Sequence, residues 1–239
     1  MIKNLLQNYI KDYKITLTEN QYEQFQKYFE LLAEWNEKMN LTAITDESGV
    51  ALKHFADSLS LLNFVDIPQN SSLADVGTGA GFPGVVLKIA RPDIKLTLID
   101  SLNKRLVFLG EVCAQLGIEA ELIHSRAEDG ARDEKLRESF DFAVSRAVAR
   151  MNVLSEYCLP YVKVGGAFCA MKGAQANEEF KESLNAINTL GGKLEKKYFF
   201  ELPENGGERA IAVVRKVKNT PQKLSLIHIS EPTRPRLIS

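Results

Sequence analysis

The residues best suited to chemistry stand together in Leu73-Ala74-Asp75-Val76-Gly77-Thr78-Gly79-Ala80-Gly81-Phe82-Pro83-Gly84. A short apolar run carries an acid near its end and enters a glycine cluster, and a proline then opens a helical pattern. Glycine lets the backbone turn sharply and approach a ligand closely. The helix that follows directs its free N–H groups at whatever occupies the turn. The pattern predicts a nucleotide-binding βα turn, and it can be read in two frames. Gly79-x-Gly81-x-x-Gly84 satisfies the dinucleotide fingerprint. Asp75-x-Gly77-x-Gly79-x-Gly81 instead sets an acid two residues ahead of three alternating glycines. A carboxylate at Asp75 repels a pyrophosphate and attracts the ammonium and sulfonium of S-adenosylmethionine. Asp75, ahead of Gly77 and Gly79, therefore favours S-adenosylmethionine; the bland alternative is a loop that only turns tightly.

Asp100 ends the next apolar run, about twenty residues past the glycines, where an acid accepts hydrogen bonds from ribose hydroxyls. It supports an adenosine cofactor without choosing which; the alternative is an acid stabilised at a helix N-terminus. Ala127 and Glu128 follow the third run, where a backbone N–H or the Glu128 carboxylate could read an adenine edge. On residue type alone Glu128 is equally an ordinary solvated acid.

These residues need a frame to position them. The first third reads as helical: an amphipathic pattern over 2–13, then Thr18-Glu19-Asn20-Gln21 as a capping box. Tyr22, Phe25, Phe29, Leu32, Trp35 and Met39 follow on one face. A further helix spans 47–64, with His54 and Asp57 one turn apart, away from its apolar side. After the turn cluster at 68–72, strands are predicted at Ser72–Val76, Lys95–Asp100, Ala120–His124, Phe140–Ser145, Gly166–Lys172, Leu194–Leu202 and Arg209–Val217. Helices lie between the first five, which implies a parallel, doubly wound sheet. Only Pro203–Glu208 separates the last two strands, so they form an antiparallel hairpin. The expected fold is α/β, a seven-stranded, mostly parallel, Rossmann-like sheet of the class I methyltransferase type. Residues 1–66 form an N-terminal helical extension, 67–218 the cofactor-binding domain and 219–239 a tail.

With 239 residues, 45% of them hydrophobic, the chain can bury a full core. No apolar run approaches the ~20 residues that span a bilayer, and the N-terminus lacks a signal-peptide pattern. Cys113, Cys158 and Cys169 form no CxxC, which argues against a disulfide framework and against zinc and fits a reducing cytoplasm. The three histidines form no metal-ligand cluster. A net charge of −1 gives no compositional case for nucleic acid, so local basic patches must carry it.

Four more segments, taken with the glycine motif, bear on identity: Trp35-Asn36-Glu37-Lys38-Met39-Asn40-Leu41-Thr42, His54-Phe55-Ala56-Asp57-Ser58-Leu59, Ser145-Arg146-Ala147-Val148-Ala149 and Met171-Lys172-Gly173. In this combination and order the chain resembles the ribosomal RNA small-subunit methyltransferase G family, also called glucose-inhibited division protein B, from about residue 1 to residue 223. The resemblance implies S-adenosylmethionine-dependent methylation of N7 of a guanine in bacterial 16S rRNA, at the position the family numbers 527. It implies that Gly77, Phe82, Ala127, Glu128 and Arg146 match the family's cofactor-binding positions. The expected partner is 16S rRNA or the small ribosomal subunit, met by a cytoplasmic monomer without metal or membrane.

Guanine N7 carries an exposed in-plane lone pair and needs no general base. Alignment alone can supply roughly 7–11 kcal/mol, so no acid–base pair or covalent nucleophile is expected. Arg146 and Arg150 follow the fourth strand and Lys172 ends the fifth, at the strand ends where open sheets bind ligands. Arg146 suits the cofactor carboxylate or a phosphate; Arg150 and Lys172 suit RNA phosphates, with surface ion pairing as the alternative. Asn36, Asn40, His54 and Asp57 could fold over the ligand edge and read the Watson–Crick edge of an extruded guanine. For His54 and Asp57 a helix-surface hydrogen bond is the plain alternative.

From Leu224 to Arg234 the chain resembles the in-frame translation of a sequencing-library adapter, so 224–239 is expected to stand in place of a basic tail. Two other functions stay open at this point. One is an NAD(P)-dependent oxidoreductase using the dinucleotide frame; the other is a non-catalytic RNA-binding assembly factor.

Overall fold

The computed structural model describes residues 1–146, 148–174 and 176–222, so the adapter-like segment lies outside the described residues. Seven strands run β1 Ser72–Val76, β2 Lys95–Asp100, β3 Ala120–His124, β4 Phe140–Arg146, β5 Val162–Gly173, β6 Gly192–Glu201 and β7 Glu208–Lys216. They lie in the order β3-β2-β1-β4-β5-β7-β6. The first five pair in parallel, and β7 inserts antiparallel between β5 and β6. The strand order reverses between β1 and β4, the switch point beyond whose carboxyl ends open sheets bind ligands.

Ahead of the sheet come α1 Ile2–Tyr9, α2 Glu19–Met39, α3 Glu47–Val50 and α4 Asp57–Phe64, with a π-helical turn Ala51–Ala56 joining the last two. The single helix expected over 47–64 is thus interrupted by a wide turn that carries His54. Within and behind the sheet lie α5 Gly84–Ala90, α6 Asn103–Leu116, α7 Ala127–Gly130, α8 Met151–Cys158, α9 Ala176–Glu182 and α10 Leu184–Thr189. The last two fill the connection between β5 and β6, for which the sequence reading named no helix.

The capping box forms as its residue types require. Gln21 N donates to Thr18 Oγ1 at 3.3 Å and Thr18 N donates to Gln21 Oε1 at 2.7 Å. The Gln21 amide also reaches Ile89 O at 2.7 Å, which ties the start of α2 to the end of α5. The helical layer has no core of its own. Ile2, Leu6, Phe25, Leu32, Phe55 and Leu59 share one buried cluster with Leu73, Val85, Leu98 and Phe108 of the sheet and its helices. Within it Tyr28 is fully buried while Phe29, expected on the apolar face, is only partly so. Residues just after β7 are also fastened rather than tail-like. Arg137 donates to Thr220 O at 2.7 Å, and the buried Lys216 ammonium bonds Thr220 Oγ1 at 2.6 Å and Leu159 O at 2.7 Å.

One contact from the helical layer bears directly on the glycine loop. The buried Tyr28 hydroxyl donates to Ala80 O at 2.5 Å, and its ring stacks on Phe82 with centroids 5.4 Å apart. Burial holds the Tyr28 phenol well above its ordinary pKa, so it stays a donor. Tyr28→Phe keeps the stack and strips the Ala80 carbonyl of its donor. Urea unfolding should register a loss of about 1–2 kcal/mol, and an unchanged midpoint would contradict this tether.

Candidate functional site

The glycine loop is shaped from beneath by two carboxylates. Asp75, near the end of β1, is fully buried, and its Oδ2 accepts from Thr78 Oγ1 at 2.7 Å and from Gly84 N at 2.8 Å. Asp100, ending β2, accepts from Gly79 N at 2.9 Å and from Leu102 N at 2.9 Å. Gly77 has φ +71°, and a Cβ there would lie 2.9 Å from the Val148 side chain. At Gly84 a Cβ would fall 2.7 Å from the Asp75 carboxylate. The start of α5 can rest on Asp75 only because that position is glycine.

This arrangement corrects the expected role of Asp75. Its carboxylate is enclosed by the loop, so a ligand meets main chain that Asp75 has arranged rather than Asp75 itself. The same geometry decides between the two frames. A dinucleotide pyrophosphate would use the amides at the start of the helix, and the Gly84 amide is already bonded to an internal carboxylate. Phe82 is likewise buried, stacked between Tyr28 and His54 with the Arg146 guanidinium 5.1 Å from its centroid. It therefore supports the loop from within.

A cleft of about 600 Å³ opens beside the loop. Gly77, Asp100, Ala127, Glu128, Arg146 and Tyr157 are among its lining residues. Ala127 and Glu128 form the first turn of α7, whose amides have no helical carbonyl to bond. Burial, and next the nearby Glu128 carboxylate, hold the Tyr157 phenol above its ordinary pKa, and Arg105 lies 3.4 Å from Asp100. Tyr157 and Arg105 were missed in the sequence, because nothing in their spacing marks which face of α8 or α6 meets the cleft. The cleft offers backbone amides, two carboxylates suited to hydroxyls or an amino group, and the guanidinium groups of Arg105, Arg126 and Arg146 for an anion. That set fits an adenosine-bearing amino acid such as S-adenosylmethionine.

Arg146 lines a second cleft as well, of about 690 Å³, together with Lys53, His54, Asp57, Lys172, Arg209 and others. Here the helical layer meets the sheet. Arg146 Nη1 donates to Lys53 O at 2.9 Å and to Asp57 Oδ2 at 3.0 Å, and Nη2 reaches His54 Nδ1 at 3.2 Å. His54 Nδ1 also lies 3.2 Å from Lys53 O; because a guanidinium only donates and Arg146 Nη1 already bonds Lys53 O, Nδ1 is assigned as an acceptor. Its proton sits on Nε2, which then donates to Thr42 Oγ1 at 2.8 Å. Burial, and next the Arg146 charge, push the imidazole down to about 3. Arg209 Nε stands 3.3 Å from Asp57 Oδ1. The sequence reading missed Arg209, yet the hairpin held the signal: an antiparallel β7 begins beside the end of β5, and Arg209 pairs in register with Gly173.

Two of the expected base readers do other work. Asn36 Oδ1 accepts from Thr42 N at 2.8 Å, and Asn40 ends α2 with left-handed φ +49°. They shape the turn that brings Thr42 to His54 and do not themselves line the second cleft. Lys172 bonds Ala149 O at 2.7 Å and Glu179 at 2.8 Å, and Glu179 also accepts from Met151 N. It holds the loop after β4 while lining the cleft. Arg150 pairs with Glu182 at 2.6 Å with both side chains exposed, which matches the surface-pair alternative. Among the described residues no group of His, Cys, Asp or Glu could hold a metal ion, and no helix is long and apolar enough to cross a membrane. The three cysteines are free and buried.

The family model described as "GidB: rRNA small subunit methyltransferase G" matches residues 21–205. Proteins named "Ribosomal RNA small subunit methyltransferase G" are similar along nearly the whole chain. That of Leuconostoc citreum is 53% identical over 217 residues, covering 90% of each chain. That of Geobacillus sp. is 52% identical over 210 residues, 87% of this chain and 88% of the relative. Among solved structures, a SAM-dependent O-methyltransferase from Thermotoga maritima matches at TM-score 0.53 and 14% identity, over 80% of this chain and 73% of that one. TrmN from Thermus thermophilus matches at TM-score 0.53 and 16% identity, over 67% and 48%. At such identities these two speak for the fold, the class I methyltransferase fold expected from the strand pattern.

Two titrations follow. Burial raises Asp75 from 3.8 to about 6, against the lowering effect of its bonds from Thr78 and Gly84. The raised group contributes stability that is fully present below about pH 4 and lost as pH rises through about 6. Relative to wild type, Asp75→Asn should therefore gain roughly 3 kcal/mol between pH 4 and pH 7 in urea unfolding; a flat difference refutes the assignment. His54 has the opposite sign: its contribution is present above its ordinary 6.5 and lost as pH falls toward 3. Its imidazole NMR signals should stay constant from about pH 8 to about pH 5, and a midpoint near 6.5 would mean that the ring is not held as described.

Proposed function

The chain belongs to the rRNA small subunit methyltransferase G (GidB) family, and from that premise we propose that it methylates N7 of a guanine in bacterial 16S rRNA, acting as a monomer. When bound, S-adenosylmethionine supplies a methyl group on a sulfonium that needs no further activation. The chain's own contribution is to hold the two reactants next to each other and to keep water from intervening.

The observation that carries this reading is that Arg146 lines both clefts. The first cleft has the amides and carboxylates that suit adenosine. The second carries Lys53, Arg146, Lys172 and Arg209 against Asp57 and Glu179, four cations to two anions, which suits a polyanion despite the chain's overall −1. Asp100 and Glu128 are the groups for ribose hydroxyls and the adenine edge, and Gly77 and Ala127 provide main chain. Three of the five N–H groups of Arg146 bond Lys53, Asp57 and His54. Among the described residues the remaining two have no hydrogen-bond acceptor, and they suit the cofactor carboxylate.

The histidine of the second cleft is not poised as a general base. His54 is neutral, with both ring nitrogens engaged. That suits guanine N7, whose lone pair attacks without losing a proton. Rate enhancement then comes from positioning, which can reach roughly 7–11 kcal/mol.

The test incubates the full chain and radiolabelled S-adenosylmethionine with small subunits lacking the modification, then maps the labelled nucleoside. Label on N7 of one guanine is expected. Label on a carbon or a ribose overturns the substrate assignment, and tight cofactor binding without any transfer favours a non-catalytic assembly factor. Gly77→Val adds a branched side chain at a position with φ +71° where even a Cβ would fall 2.9 Å from Val148. Calorimetry should show S-adenosylmethionine binding weakened about 100-fold or more, with the fold verified by circular dichroism. Near-native affinity in a folded variant would contradict the cleft assignment.

A further inference from the structure

We infer that the second cleft is the acceptor-base pocket and that Asp57, flanked by Arg146 and Arg209, reads the Watson–Crick edge of the guanine. This rests on the guanine-N7 reading above and adds the residues that select the base.

The argument begins with the reaction. Methylation at N7 requires the edge bearing N7 and O6 to face the donor cleft. The base is then open to recognition through its faces and its adjacent Watson–Crick edge, which shares O6 and presents the N1–H and N2–H donors. The matching protein surface is an acceptor with a cationic donor next to it, and the cleft contains one. Asp57 is 5% exposed, and its Oδ1 has no hydrogen-bond donor among the described residues. Arg209 stands at ion-pair distance only, 3.3 Å from that oxygen, while Oδ2 is taken by Arg146 at 3.0 Å. A buried carboxylate oxygen with unfilled acceptor capacity is costly unless something completes it. Here the oxygen is itself enclosed, with Arg209 over it, in a residue that lines a 690 Å³ cleft, so a base that reads it must first part Arg209 from it.

The same pair rejects the other purine. Adenine would turn the N1 lone pair toward the carboxylate and an amino group toward the guanidinium, so both contacts become repulsive. Met171, Phe200 and Ile211 line the cleft as well and give it apolar surface for a ring. The dividing residue accounts for proximity: Arg146 borders the donor cleft on one side and holds Asp57 on the other.

The test uses small subunits rebuilt on 16S RNA carrying either guanine or inosine at the target. Inosine keeps N7, O6 and N1–H and lacks only the N2 amino group. Wild type should lose roughly 10- to 100-fold in kcat/KM on inosine, the consequence of one missing charge-assisted hydrogen bond. In Asp57→Asn the guanine-to-inosine ratio should fall toward one, whatever happens to absolute activity. A ratio within one protein cancels losses of folded enzyme, and the wild-type comparison stands even if the variant does not fold. Equal wild-type rates on both substrates overturn the inference while leaving the N7 reading intact. An undiminished ratio in folded Asp57→Asn overturns the role of Asp57. No methylation of guanine by wild type with bound S-adenosylmethionine overturns the N7 reading and this inference with it.

Discussion

The ion pair between Asp57 and Arg146 is the interaction on which the remaining architecture depends. One partner comes from the helical layer and the other from the end of β4, so a 3.0 Å contact sets how the two halves meet. Burying opposite charges is favourable only when geometry is good and the other hydrogen-bonding positions are filled. Lys53 O and His54 Nδ1 fill positions on the guanidinium, and Arg209 approaches the carboxylate. Losing either partner would leave a buried charge uncompensated, a penalty of about 3–5 kcal/mol. The pair also stands between the two clefts, so the same contact that joins the halves separates the sites.

The loop after β1 follows a related logic. Asp75 and Asp100 sit at strand ends and accept from Thr78, Gly84 and Gly79, while Tyr28 bonds Ala80 from above. Most of the loop's polar connections are therefore internal. The cleft is assembled before any ligand arrives, the condition under which backbone amides bind without a large ordering penalty. His54 belongs to the same scheme. Its neutral ring stacks on Phe82 at 4.5 Å and accepts from Arg146, which supports the guanidinium without adding a competing charge.

Much of this was legible in the chain, for identifiable reasons. The first three strands have the bounds expected of them; β1 and β2 are buried beyond their first residues, as central parallel strands are, while β3 at the edge is only partly covered. The Thr18 cap and the closing hairpin were equally clear, since each depends on residues close in sequence. The role of Asp75 was half legible: an acid before glycines argues against a pyrophosphate, yet only the fold reveals that the loop closes over the carboxylate. Asn36 and Asn40 have the residue types of base readers but act on the turn leading to Thr42, a contact that local sequence does not encode. Arg209 was hidden because its importance comes from strand order. The wide turn at Ala51–Ala56 was hidden because its residues look like ordinary helix.

That wide turn has a consequence for how this molecule can evolve. A π turn holds one residue more than the α-helix it interrupts, so everything after it is out of phase with Glu47–Val50. Deleting a single residue between Ala51 and Ala56 would restore one continuous helical phase and tighter backbone bonding, while swinging Asp57 off Arg146. The regained backbone bonding would be set against a buried carboxylate and guanidinium left without each other, about 3–5 kcal/mol. The irregular turn is thus the spacer that aims a charge, and shortening it would unfasten the helical layer from the sheet.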